Sequence, residues 1–383
     1  MKKCLTTDRS QKEGNDWRSA NHRGHRGHRG KSNCLSLCPL RPLWFSPSPA
    51  SFFIVAVEIY WDDAKKTNYC TTKNLRFGNA LIMFMIFIAT LTGCTNPSAE
   101  SASATLSFSS EKTWNLPPVA ATQPAPRALG KLGDDQVMVL DTAGRVLVYD
   151  GAGTLVRQWM MPAFDVGRPE GVVQLKDGRI AVADTHYHRV VLFDANGVVS
   201  SMIGGPHEDK GPGGFLYPVG VATDLVGNLY VSEYGGNDRV QKFSPDGKLL
   251  ATCGQFGTAP GSFQRPQGLA WHDGRLYIAD AMNNRVQIFS DDGTFIGVLG
   301  GEHSPELHFP YNTVVGPDGN LTVVEYSGGR ITRLTLDGTL LGRYGKPGSG
   351  DGEFATPWGM TVDGKGRVWV ADTGNRRLVE LTP

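Results

Sequence analysis

The sequence predicts an all-β fold: a six-bladed β-propeller of four-stranded antiparallel blades, closed by an N-terminal strand. Three observations predict it. First, one motif recurs six times between Arg127 and Pro383. The acidic residue ending the second strand marks each copy, at Asp141, Asp184, Glu233, Asp280, Glu325 and Asp372, so the steps are 43, 49, 47, 45 and 47 residues. Such steps are too long for leucine-rich or ankyrin units and suit four short strands per unit. Second, the apolar runs within each copy are strand-sized and rich in Val, Ile, Leu, Tyr and Phe, as in Ile180–Asp184 and Val190–Phe193. Third, Asp-Gly turn signals separate the runs, at Asp177, Asp246, Asp273, Asp292, Asp318 and Asp337. Glycine supplies φ > 0 there without a Cβ clash. No helix-sized amphipathic segment interrupts the series, which favours a closed radial array of blades.

Within a copy the order is regular. An inner strand opens on Pro-x-Gly, two strands joined by the acidic loop follow, and an outer strand ends at a glycine-rich linker. The last copy stops after its third strand, at Leu378–Pro383. A blade without its outer strand has an exposed edge, a template for aggregation. The segment Glu111–Pro118 precedes the first copy and can supply the missing strand.

The copies resemble NHL repeats. The matching residues are the opening Pro-x-Gly (Pro169–Gly171, Pro218–Gly220, Pro266–Gly268, Pro357–Gly359), the Ala-Asp-x-x-Asn-x-Arg stretch and the Gly-x-Phe linker. That stretch is read from Ala279 to Arg285 and, one residue shorter, from Ala371 to Arg376. The linker is read at Gly261–Phe263 and Gly352–Phe354. The fifth copy departs, with Pro310-Tyr-Asn312, and the first copy is the most degenerate. The resemblance implies the propeller fold and says little of activity, because NHL propellers include an amidating lyase, nucleic-acid binders and bacterial surface proteins. No Trp-Asp pair recurs at the blade ends, which disfavours WD40 repeats.

Upstream, Lys73–Arg76 is basic, Ala80–Thr90 is an apolar run, and Leu91-Thr-Gly-Cys94 follows. This order reads as a secretory signal, and the run is short for a membrane span. Leu-Thr-Gly-Cys resembles the lipobox of bacterial lipoproteins, which implies a lipid on Cys94. The organisation expected is therefore a mis-called or disordered extension over 1–70, a signal peptide over 71–94, a flexible Ser/Ala-rich tether over 95–110 and the propeller over 111–383. His22, His25 and His28 lie in a low-complexity His-Arg-Gly run and are not assigned a metal.

Charge follows the same division. Residues 1–94 hold 14 Lys and Arg against 6 Asp and Glu, whereas 95–383 hold 24 against 31. An acidic propeller argues against a nucleic-acid partner, which needs a basic footprint. Of six cysteines only Cys94 and Cys253 lie beyond residue 93, so lipid on Cys94 leaves no intramolecular disulfide. A chain of this size can bury enough core without one, and a monomer is expected. Membrane contact is expected through the lipid alone, at the periplasmic or extracellular surface.

The residues flanking each opening Pro vary between copies and are expected at the channel mouth: Arg168, Glu170, Tyr217, Arg265, Gln267, Tyr311 and Trp358. Variation at an inward-facing ring suits one asymmetric ligand, small and polar, or a peptide end. Replacing Glu170 or Arg265 is expected to spare folding. The amidating lyase resemblance implies zinc-holding His at the post-Pro positions, and none is there. His207, His303 and His308 fall in linkers, and nothing in their spacing demands a metal; no metal or other cofactor is expected. Acid–Arg pairs recur at Asp184/Arg189, Glu233/Arg239, Asp280/Arg285, Glu325/Arg330 and Asp372/Arg376. Catalysis needs one constellation, so a pair in five blades reads as a structural loop clamp.

Two functions remain. One is a cell-envelope lipoprotein binding a small polar ligand or a protein at one propeller face. The other is a lyase- or hydrolase-like enzyme at the channel mouth, using Glu170 with Arg168 and Arg265, and it requires those three side chains to converge. Residues 95–383 hold no Walker loop, nucleophile elbow, HExxH or CxxC motif.

Overall fold

Valine, isoleucine and leucine crowd the two middle strands of every copy, and those strands are the buried ones. The computed structural model describes residues 59–60, 69–70, 104–301 and 305–383. The chain divides into two units, Met1–Thr90 and Leu91–Pro383. In the first, Ile59–Tyr60 pairs antiparallel with Tyr69–Cys70. In the second, six four-stranded antiparallel sheets follow in chain order. Cys94, the signal segment and His303 lie outside the described residues.

The inner strands of blades 1 to 6 are Pro126–Leu132, Gly171–Gln174, Tyr217–Thr223, Pro266–His272, Pro310–Val315 and Gly359–Val362. The second strands end at the marker acids, as in Ile180–Asp184 and Arg275–Asp280. The third and fourth strands of blade 4, Arg285–Ser290 and Phe295–Gly300, are typical of the rest. Tight Asp turns join them. Asp194 Oδ1 accepts from the N–H groups of Asn196 and Val198 at 2.8 and 2.9 Å, and Gly197 takes φ 85°.

Core layers lie between blades. Met138, Leu140, Val146 and Val148 of blade 1 pack with Val172, Ile180, Val191 and Phe193 of blade 2. Close approach of the inner strands needs glycine. A Cβ on Gly171 would stand 2.0 Å from the carbonyl oxygen of Val219, and one on Gly220 2.3 Å from that of Gln267. Blade 5 has Asn312 instead, whose amide reaches the next blade and donates to the Met360 carbonyl at 3.2 Å. Gly171→Ala is therefore expected to cost about 1–3 kcal/mol, because backbone rather than a flexible side chain must yield. Urea unfolding measures it, and an unchanged midpoint would contradict the close packing.

The outer strand of blade 6 is Ser110–Asn115, paired antiparallel with Arg377–Thr382 in the register Asn115 with Arg377 to Ser110 with Thr382. Trp114 meets Trp369 edge to face at 5.3 Å. Residues 104–110 correct the expected tether. Leu106 N–H donates to the Arg343 carbonyl at 2.9 Å, Arg343 N–H donates to Ala104, and Phe108 packs on Tyr344 at 5.0 Å. The open outer edge of blade 5 offers backbone partners, and Phe108 supplies the apolar contact.

Candidate functional site

In blades 1, 3, 4 and 5 the opening Pro of the inner strand is followed by a local shift of register. A bulge of this kind re-aims one side chain. It lies at the post-Pro position, and the inner strands surround a channel of about 530 Å³. Glu170, Val219, Gln267, Tyr311 and Trp358 all line it. Arg168, Tyr217 and Arg265 stand outside that lining.

The ring has a member that the sequence reading missed. Arg127 follows Pro126 in blade 1, where Ala128 replaces the usual glycine and hides the repeat. The signal was there: Pro126 occupies the opening position of the first copy. Arg127 pairs with Glu170 at 2.7 Å, joining blades 1 and 2, with only 13% and 4% of the two side chains exposed. Its guanidinium also lies 4.1 Å from the centre of the Trp358 ring. The Tyr311 hydroxyl donates to the other Glu170 oxygen at 3.4 Å. Burial pushes the Tyr311 hydroxyl pKa far up, so it stays protonated.

Aromatic rings continue around the mouth. Tyr311 packs on Trp358 at 5.2 Å and on Tyr326 at 5.5 Å. Tyr217 stacks on Tyr234 at 5.3 Å and approaches His186 at 5.8 Å. Arg265, with φ 59°, is fixed by its N–H to Asp238 Oδ1 at 2.6 Å, and its guanidinium lies 4.9 Å from the Tyr234 ring centre. Four nitrogens in this neighbourhood are buried without a partner: the donors Arg127 Nε, Arg265 Nε and Gln267 Nε2, and the ring nitrogen His186 Nδ1.

The expected trio does not converge. Arg168 turns back onto its own linker, donating to the carbonyls of Phe164, Gly167 and Thr142. The linker between blades 1 and 2 is short, and those carbonyls need a donor. Glu170 takes Arg127 instead, so Glu170→Ala would strand a nearly buried guanidinium and is expected to lower stability rather than spare folding. His308 Nε2 stands 3.5 Å from Glu306, and His207 is exposed. Among the described residues no three His, Cys, Asp or Glu side chains gather to hold a metal. Burial pushes the Cys253 thiol up to about 12, which keeps it protonated and unreactive.

The acid–Arg pairs form in every blade. Arg285 Nε donates to Asp280 at 2.7 Å, and its Nη2 donates to the Ser262 and Ala259 carbonyls at 2.7 and 3.0 Å. The guanidinium thereby ties the acidic loop to the preceding linker. Arg189, Arg239 and Arg330 hold Asp184, Glu233 and Glu325 at 2.8, 2.6 and 2.9 Å. One assignment needs correcting. Asp372 pairs with Arg377 at 2.7 Å, whereas Arg376 has φ 57° and reaches the Gln123 carbonyl. Asn375 bonds Asp372 as Asn283 bonds Asp280, both at 2.8 Å, so the motif runs to Arg377 without a deletion. Blade 1 adds a sixth pair, Asp141 with Arg145 at 2.7 Å. Blade 2 is incomplete: Asp184 Oδ1, Thr185 Oγ1 and Arg189 Nη2 lack partners. Its short linker does not supply the N–H that Gln264 gives Asp280 at 2.7 Å. Burial raises the Asp184 carboxyl above the usual range, against the pull of Arg189.

A family model described as NHL repeat matches residues 263–289 and 354–381. NHL repeat-containing protein 3 of Homo sapiens is 30% identical over 174 residues, covering 41% of this chain and 50% of that protein. Peptidyl-glycine alpha-amidating monooxygenase A of Xenopus laevis is 27% identical over 183 residues, covering 44% of this chain and 18% of that protein. The chain thus spans half or less of the length of these curated relatives. Among solved structures, virginiamycin B lyase from Staphylococcus aureus superposes with TM-score 0.52 at 16% identity, over 72% of this chain and 99% of that one. A gluconolactonase from Xanthomonas campestris gives 0.52 at 18%, over 68% and 86%. At these identities the likeness is one of fold. The fold is a six-bladed β-propeller, and the segments 263–289 and 354–381 within it match the NHL repeat.

Proposed function

We propose that this protein is a cell-envelope lipoprotein whose propeller binds a small polar ligand at the post-Pro ring of its channel. The observation that carries the binding reading is the set of three buried nitrogens, Arg127 Nε, Arg265 Nε and Gln267 Nε2, without acceptors. Leaving a buried donor unpaired costs about 1–3 kcal/mol. A ligand carboxylate or carbonyl would recover that loss. Among the described residues Arg127 is held by Glu170, whereas the Arg265 guanidinium makes no ion pair; the Asp238 carboxylate beside it takes the Arg265 backbone N–H at 2.6 Å. Aromatic walls from Tyr311 and Trp358 suit a ligand with a flat or apolar part.

The test is a thermal-shift screen of small carboxylates and neutral amides, because a ligand that binds only the folded state raises the midpoint. Arg265→Ala is expected to weaken the best carboxylate about tenfold or more, a loss of about 1.4 kcal/mol. Its folding should change little, because the side chain makes no ion pair among the described residues and lies against the Tyr234 face and beside the Tyr311 hydroxyl. Equal affinity for the variant and the parent would remove Arg265 from the site.

Anchoring rests on Leu91-Thr-Gly-Cys94 behind the apolar run. Intact mass of membrane-extracted protein should show a chain beginning at an acylated Cys94. Peptides from residues 1–70 in that material would refute it.

A further inference from the structure

We infer that the channel is a pocket for an elongated carboxylate with an apolar tail, taken up head first from the face of the Asp-Gly turns. The inference rests on the binding reading above and adds the direction of access and the class of ligand.

The two ends of the channel differ. At the post-Pro end Val219 and Gln267 are each 1% exposed and Tyr311 5%. The Arg127–Glu170 pair spans two blades there, and Trp358 lies beneath the Arg127 guanidinium. Side chains that hold one another narrow that end, although Glu170 and Trp358 stay half-buried. Four or five residues further along the inner strands the lining opens. The Lys131 side chain is 46% exposed, and Thr223 and His272 are half-buried. These residues precede the turns into the second strands, on the face away from the acidic loops. A ligand therefore reaches the unpaired Gln267 amide from below, through the channel.

The channel changes character along its length. From Val219 to Thr223 is four steps of extended chain, roughly 13 Å. Between the ends stand Val173, Ala270 and Val314, each half-buried within the lining. Side chains without polar groups that remain accessible inside a channel favour an apolar body there, at about 25 cal/mol per Å² covered. At the narrowed end Gln267 is a lining residue, and its Nε2 is a buried donor without an acceptor. Behind it the Arg265 and Arg127 charges favour an anion, and both lie close enough to Tyr311 to oppose the rise of its pKa. Asp363 also lines the channel, but Arg367 holds it at 2.7 Å, so that acid does not repel an incoming anion. Lys131 keeps one exposed neighbour, Asp134 at 3.6 Å. The volume, about 530 Å³, is within the range of small-molecule pockets.

The probes are decanoate and acetate, titrated calorimetrically into the full-length chain. Decanoate is expected to bind at least tenfold tighter than acetate. Gln267→Leu, which keeps the side-chain volume, should weaken both by a similar factor. Ala270→Trp and Val314→Phe each narrow the channel from a different blade, and either should abolish decanoate binding while sparing acetate. Circular dichroism and the unfolding midpoint identify which of the two is folded. Decanoate no tighter than acetate would overturn the apolar-tail inference and leave the binding reading standing. Unchanged decanoate binding in a folded narrowed variant would overturn access from the turn face. If neither acid binds, the ring is not a carboxylate site and this inference falls, while the thermal-shift screen of neutral amides decides the binding reading separately.

Discussion

Removing residues 104–118 is expected to destabilise the propeller more than any single substitution. The deletion takes away the outer strand Ser110–Asn115 and its whole ladder to Arg377–Thr382. It also removes Leu116, which is 1% exposed, and the Trp114 ring that covers Trp369. Burial of two large side chains is worth about 3–6 kcal/mol. The edge of Arg377–Thr382 would then present unpaired N–H and C=O groups, a template for association. The truncated chain should unfold at lower urea concentration and form oligomers in size-exclusion chromatography. Trp114→Ala is the milder control and should show a smaller loss without oligomers. A truncated chain that stays monomeric with an unchanged midpoint would show that the ring does not depend on this strand.

Arg285→Ala is expected to cost about 3–5 kcal/mol, as breaking a buried pair by removing one partner generally does. Asp280 is fully buried, and the change strands its charge while freeing the Ser262 and Ala259 carbonyls. Asn283 and Gln287 still donate to Asp280 and soften the loss. Arg377→Ala should behave alike, because Arg377 holds Asp372 and the Gly350 and Glu353 carbonyls. Arg376→Ala should sit near the parent, since its one bond to Gln123 is exposed. Unfolding midpoints of the three variants separate the roles, with the first two lower on the order of 10 °C. A large loss at Arg376 with none at Arg377 would reverse the assignment.

These two expectations also mark where the sequence was legible. The Asp-Gly turns and the marker acids are local signals, because a turn that needs φ > 0 or an acid that ends a strand leaves its residue type in place. Pro-x-Gly was legible for a related reason: the backbone of the next blade lies where a Cβ would be, as at Gly171 and Gly220. The pairing of Asp372 was misread at Arg376, one residue short, because two arginines stand together. Only the strand register, with Arg377 opposite Asp372, decides between them.

The site was less legible for a physical reason. A repeat shows which positions line the channel, and Glu170, Gln267, Tyr311 and Trp358 do line it. Which side chains meet across the ring depends on contacts between residues far apart in sequence. Arg127 and Glu170 belong to different blades, and so do Tyr311 and Glu170. Arg168 was expected beside them, but the short linker with unpaired carbonyls draws it away.

The sequence alone determined the six copies, the four-stranded blade and the candidate ring, because turn chemistry and strand periodicity are carried by neighbouring residues. Only the tertiary structure decided that Arg127 pairs with Glu170 beside the ring and that Arg265 stands outside the channel lining. Those outcomes depend on how six inner strands converge, and that convergence is set by packing between blades, which no single copy of the motif records.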